Sequence, residues 1–146
     1  PSRFLLVAAA LLAAACSDPA GPLGPGARDR GRKPPPPPPV RHPILFVHGW
    51  NSSGAIWETM RASFVAAGWP ASDLVSFSYN TAASNATTAG VIAQKVDSMR
   101  AASGIAQVDI VTHSMGALSA RYYVRNLGGD GKVDALVSLG GPNHGT

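Results

Sequence analysis

A three-layer α/β/α sandwich around a mainly parallel sheet is predicted by three features of this sequence. From residue 43 onward, short apolar runs alternate with segments of helical period. Glycine and polar residues gather just after each apolar run. The run Ile44-Leu45-Phe46-Val47 is continuously apolar rather than alternating. A strand that is apolar at every position is buried on both faces, as in parallel sheets covered by helices.

The elements follow in order. Ile44 to Val47 is the first strand. Trp57, Met60, Phe64 and Val65 recur at helical spacing, with Ser52 or Ser53 as the N-cap and Gly68 as the stop. Leu74 to Tyr79 alternates apolar and polar and reads as a second strand. Thr81–Gly90 is a small-residue loop. Val91, Ile92, Val96 and Met99 form one face of a helix ending by Gly104. Val108 to Thr112 is a third strand, and Met115 to Leu127 a third helix stopped by Gly128-Gly129. Val133 to Leu139 is the fourth strand. A β-α-β-α-β-α-β order implies right-handed crossovers and a sheet covered on both faces.

Residues 1–42 differ in kind. They carry six basic and two acidic side chains, whereas residues 43–146 carry six of each. The net charge of +4 therefore belongs entirely to the leader, and the folded part has no basic face for nucleic acid. One cysteine excludes an intrachain disulfide, no Cys/His spacing suits zinc, and no metal or organic cofactor is expected. Arg3 precedes the twelve-residue apolar run Phe4 to Ala15, too short to span a bilayer and matching a signal-peptide core. Leu12-Ala13-Ala14-Ala15-Cys16 resembles the lipobox of bacterial lipoproteins, with Ala13 where that family has Leu. That resemblance implies cleavage before Cys16, acylation of Cys16 and a membrane anchor on an exported protein; the plainer reading is an ordinary cleaved signal with an incidental cysteine. Residues 17–42 are a Pro/Gly-rich basic linker. Its six prolines Pro34–Pro39 form a stiff spacer of roughly 19 Å at about 3.1 Å each, favoured over a ligand for a proline-recognition module.

In doubly covered parallel sheets, ligands sit at the carboxyl ends of the strands. The residues there are His48-Gly49-Trp50, Tyr79-Asn80, His113-Ser114-Met115-Gly116 and Gly140 to Thr146. Ser114 falls between a strand and a helix. A nucleophilic serine needs a sharp turn that lifts its hydroxyl out of the sheet, with a helix N-terminus behind it to favour negative charge. Gly116 lets helix and strand approach closely. Thr112 stands where the G-x-S-x-G pattern has its first glycine. The bland alternative is a serine capping a helix.

Through Pro43 to Trp50, Gly68-Trp69, Val108 to Gly116 and Leu139 to Thr146, the chain resembles the N-terminal half of an α/β-hydrolase. The similarity is closest to small bacterial lipases and esterases of the triacylglycerol lipase type. The resemblance implies that Ser114 is the acyl-accepting nucleophile and that the backbone N–H groups of Trp50 and Met115 form the oxyanion hole. It implies that His48, next to Gly49, shapes the oxyanion turn rather than acting as the base. His113, adjacent to Ser114, is expected to point away as a structural hydrogen-bonding group. His144, preceded by Asp130 or Asp134, satisfies the Ser, acid, His chain order, but the resemblance puts Pro142–Thr146 in a structural loop. The acid and base are then expected beyond Thr146. The chain reads as C-terminally truncated, and this fragment alone is expected to be inactive. The function implied is carboxylic-ester hydrolysis on an ester or lipid substrate. Acyl transfer or thioester cleavage on the same machinery, and a non-catalytic binding lipoprotein on a hydrolase half-fold, are the alternatives.

Overall fold

The computed structural model describes residues 40–144. The leader, the linker through Pro39, Cys16, Gly145 and Thr146 lie outside the described residues. Four strands, β1 (Ile44–Val47), β2 (Leu74–Phe77), β3 (Val108–His113) and β4 (Val133–Leu139), form one sheet in the order β2-β1-β3-β4. Each neighbouring pair is parallel. The connections carry α1 (Glu58–Ala66), α2 (Asn85–Ser103) and α3 (Gly116–Asn126). The architecture is the α/β sandwich that the sequence predicts.

Strand pleating divides the core. Leu45, Val47, Val108 and Ile110 pack with Ile92, Val96, Ala120 and Tyr123 on the α2/α3 side of the sheet. Ile44, Phe46 and Val111 pack with Trp57 and Leu74 on the other, joined by Met60, Phe64 and Trp69. All four residues of β1 are buried because consecutive side chains point to opposite, equally covered faces. Burying a side chain such as Phe46 removes it from water at a gain of about 1.5–3 kcal/mol.

Several boundaries differ from the sequence reading. The stretch 81–90 is not all loop: Ser84 caps α2, its Oγ accepting the Thr87 N–H at 3.1 Å, and the helix begins at Asn85. Its first turns lack large apolar residues, so no periodicity advertises them. Small Thr88 and Ala89 are buried there instead. This lets α2 approach α3, where Ser119 Oγ donates to Asn85 Oδ1 at 2.8 Å. β2 ends at Phe77, leaving Tyr79 in the following loop. Ser53, not Ser52, accepts an N–H, that of Ala55, and opens a short 3₁₀ turn over Gly54–Trp57 ahead of α1. Val65 is 45% exposed, because Trp57, Met60 and Phe64 already fill the inner stripe of that segment. β4 is also barer than a doubly covered strand. Leu136 pairs with Ile110 and packs on the α2/α3 side, but Val137 and Leu139 alternate to the other face and stand 46% and 38% exposed. On that face Trp57, Met60 and Phe64 belong to the cluster that covers β1, β2 and Val111 of β3.

Candidate active site

Ser114 sits on the two-residue turn between β3 and α3 at φ 51°, a left-handed conformation that L-residues other than Gly rarely hold. Its N–H donates to Leu139 O and its carbonyl accepts the Ala117 N–H, each at 3.0 Å. The turn is thus pinned to the end of β4 and to the first turn of α3. Thr112, fully buried, donates its hydroxyl to Val137 O at 3.1 Å. A threonine at that position therefore serves as a sheet fastener. Met115 forms the N-cap of α3 without any side-chain cap, and the positive end of the helix dipole lies beside Ser114.

Gly116 and Gly49 set how closely the two strand ends approach. A Cβ on Gly116 would lie 2.5 Å from His48 O and 2.8 Å from Val47 O. A Cβ on Gly49 would lie 2.9 Å from the Ser114 Cβ and 3.1 Å from His113 O. Gly116 meets backbone and Gly49 meets the Ser114 Cβ and the His113 carbonyl, so only glycine fits at either point. Sequence proximity alone cannot show this contact, since the two loops are more than sixty residues apart.

His48 is fully buried beneath the loop. Its Nε2 accepts the Tyr79 N–H at 3.4 Å, so the proton resides on Nδ1, which donates to Gly49 O at 2.8 Å. The Gly49–Trp50 peptide is trans and planar, so holding its carbonyl on His48 directs the Trp50 N–H the opposite way. Among the described residues, neither the Trp50 nor the Met115 N–H has a protein acceptor. These are two unspent donors on the loops that flank Ser114. The Trp50 side chain is largely solvent-facing, and Asn51 follows at φ 50°.

His113 is exposed, with Nδ1 beside Gly49, and among the described residues its side chain has no hydrogen-bond partner. His144 is exposed just beyond β4. Asp134 lies at the other end of that strand, beside His42. At roughly 3.3 Å per residue the seven-residue strand spans about 20 Å, so Asp134 does not reach His144.

The loop after β2 carries residues to which the sequence reading gave no role. Tyr79 donates its hydroxyl to His48 O at 2.5 Å and stacks on the His48 ring at 4.2 Å between centroids. Burial raises the Tyr79 phenol above its ordinary pKa, keeping it a neutral donor. Ser78 Oγ accepts the Gly54 N–H and Thr81 Oγ1 the Asn51 N–H. Their position at the carboxyl end of β2 was the available signal.

Among the described residues, one group offers a cation three ligand atoms within 4.8 Å of one another: His42, Asp109 and Asp134. It joins the starts of β1, β3 and β4, at the opposite end of the strands from Ser114. His42 Nδ1 stands 3.4 Å from both carboxylates, and Asp109 Oδ1 also accepts the Ala135 N–H. No Cys/His spacing could have shown a group assembled from three strands.

A tight strand-to-helix turn at Ser114 after the third strand, and a His-Gly loop packed against it from the first, define a chain with the α/β-hydrolase fold. Within that class it belongs to the class 2 lipases, whose family model matches residues 41–146. Among solved structures, it is similar to the mature form of the Bacillus licheniformis lipase BlEst2, with a TM-score of 0.61 and 22% identity over 75% of this chain and 44% of that one. The propeptide form of the same lipase gives the same TM-score and identity over 24% of its length. The Listeria innocua lin2722 gene product matches with a TM-score of 0.56 and 20% identity, over 70% of this chain and 52% of that one. The chain thus spans about half or less of the length of these structures.

Proposed function

We propose that the protein is a serine carboxylic-ester hydrolase, a lipase or esterase, acting through an acyl-enzyme on Ser114. The observation that carries this reading is Ser114 at φ 51° on a strand-to-helix turn, flanked by two backbone N–H groups that have no protein acceptor among the described residues. Ser114 Oγ attacks the ester carbonyl carbon and gives its proton to a histidine base. The Trp50 and Met115 N–H groups take the charge that develops on the carbonyl oxygen. The C–O bond to the alcohol breaks, and the alcohol leaves with the proton. Water then repeats the sequence on the acyl-enzyme, releasing the carboxylic acid and restoring Ser114. In this fold the acid and the base follow the nucleophile along the chain. Asp134 with His144 is not that pair, given their separation along β4. The test is hydrolysis of a chain-length series of nitrophenyl esters by the full-length protein and its Ser114→Ala variant. Turnover lost in the variant supports the reading. Activity confined to acetyl esters reduces lipase to esterase, and full activity without the Ser114 hydroxyl refutes the mechanism.

We also propose that residues 1–16 direct export, that Cys16 carries an acyl anchor, and that residues 17–42 tether the catalytic domain to the membrane. Support comes from the charged start, the apolar run and the small residues before Cys16. Mass spectrometry of membrane-extracted protein should find an acylated Cys16 at the mature N-terminus. A soluble product cut elsewhere contradicts the anchor.

A further inference from the structure

The segment Ser78–Thr81 reaches back from the end of β2 to the loop after β1 at three points, and Tyr79 supplies the most extensive of them. Its backbone N–H donates to His48 Nε2 at 3.4 Å, its phenol donates to His48 O at 2.5 Å, and its ring stacks on the imidazole with an 18° interplanar angle. Each contact constrains a different freedom of His48. The N–H bond selects the tautomer, since an accepting Nε2 leaves the proton on Nδ1. The stack fixes the ring plane. The phenol holds the His48 carbonyl, which faces Gly116 at the start of α3.

We propose that Tyr79 is a positioning residue for the oxyanion loop. It locks His48 so that Nδ1–H grips Gly49 O and the rigid Gly49–Trp50 peptide presents the Trp50 N–H to the substrate oxygen. The proposal rests on the reading of Ser114 and Trp50 above. A donor that acts on charge present only in the transition state changes turnover more than ground-state binding. Small displacements of such groups cost as much as about 10²-fold when the misplacement nears 1 Å. Tyr79 holds the donor at second hand, through His48. Removing the phenolic hydroxyl alone leaves the N–H bond and the stack, so the expected loss is smaller, about tenfold in kcat.

The experiment uses the full-length protein, with Tyr79→Phe and Tyr79→Leu variants. Steady-state hydrolysis of a nitrophenyl ester and the second-order rate of labelling by a fluorophosphonate probe are measured alongside thermal unfolding. For Tyr79→Phe, kcat is expected to fall about tenfold with KM within about twofold. The labelling rate should fall in parallel, because attack on phosphorus also draws on the oxyanion donors. Tyr79→Leu, which also loses the stack, should lose more of both rates. An unchanged kcat in Tyr79→Phe overturns the proposal. So does a loss that matches only a smaller labelled fraction, with the rate per labelled molecule unchanged, since that is a fold-stability effect. Wild-type protein that neither hydrolyses ester nor labels at Ser114 instead overturns the reading of the site, and the two failures are distinct.

Discussion

The α-carbon of Gly49 faces the side chain of Ser114 so closely that a Cβ on Gly49 would come within 2.9 Å of the Ser114 Cβ. That contact joins the loop after β1 to the turn after β3, and it leaves no room for a methyl group. Gly49→Ala must therefore push the loop after β1 away from Ser114 or turn Ser114 itself. We expect kcat to fall by about 10²-fold, the scale of an ångström-sized misplacement, with a modest change in unfolding midpoint. Kinetics and urea unfolding of the one variant check both halves. Near-normal turnover would mean that the loop and the serine do not act together.

Gly116 makes a different prediction, one of stability. Its Cβ would strike two carbonyls, His48 O at 2.5 Å and Val47 O at 2.8 Å, and neither can move without disturbing the end of β1. Overpacking of this kind typically costs about 1–3 kcal/mol. Gly116→Ala should lower the urea midpoint accordingly, with the denaturant slope unchanged.

Strain at Ser114 can be released. A left-handed φ of 51° disfavours any residue with a Cβ by about 1–2 kcal/mol, while Gly pays only in unfolded-state entropy. Both Ser114→Ala and Ser114→Gly should abolish hydrolysis. The glycine variant should be the more stable of the two by about 1 kcal/mol. Equal midpoints would show that the turn relaxes without its serine.

Much of this arrangement was legible in the sequence. Apolar runs with no alternation identify buried strands, and the position of Ser114 between one of them and Gly116 marks the strand-to-helix turn. Helix α2 was cut short because Asn85 to Gly90 are small and polar, and hydrophobic periodicity cannot register a helix that packs through Thr88 and Ala89. The role of Tyr79 was hidden for another reason. Its value lies in a contact with His48 across 31 positions of chain, and no local spacing encodes that.

At the rim of the fold, Lys132 donates to Asp97 at 2.9 Å, and Arg100 stands nearby at 3.4 Å. The Lys132 hydrogen bond, with the charges of Lys132 and Arg100, holds the Asp97 carboxyl below its usual pKa. A carboxyl depressed in the folded state stabilises the fold above its unfolded pKa of about 3.9, and that contribution disappears as pH falls through the folded value. Asp97→Asn should therefore lower the melting temperature slightly at pH 7. The gap to wild type should begin to narrow as pH falls below about 4, and high salt should narrow it, as expected for an exposed pair. A gap that stays constant as the pH is lowered through the acid range would assign the effect to packing instead.

The central claim is that Ser114 is an activated nucleophile beside a formed oxyanion hole. Its most direct test is the intact mass and peptide map of the full-length protein after exposure to a fluorophosphonate probe. The account predicts stoichiometric attachment at Ser114, lost in Ser114→Ala and slowed in Gly49→Ala. Full-length, folded protein that takes up no probe, or takes it up at another residue, would contradict it.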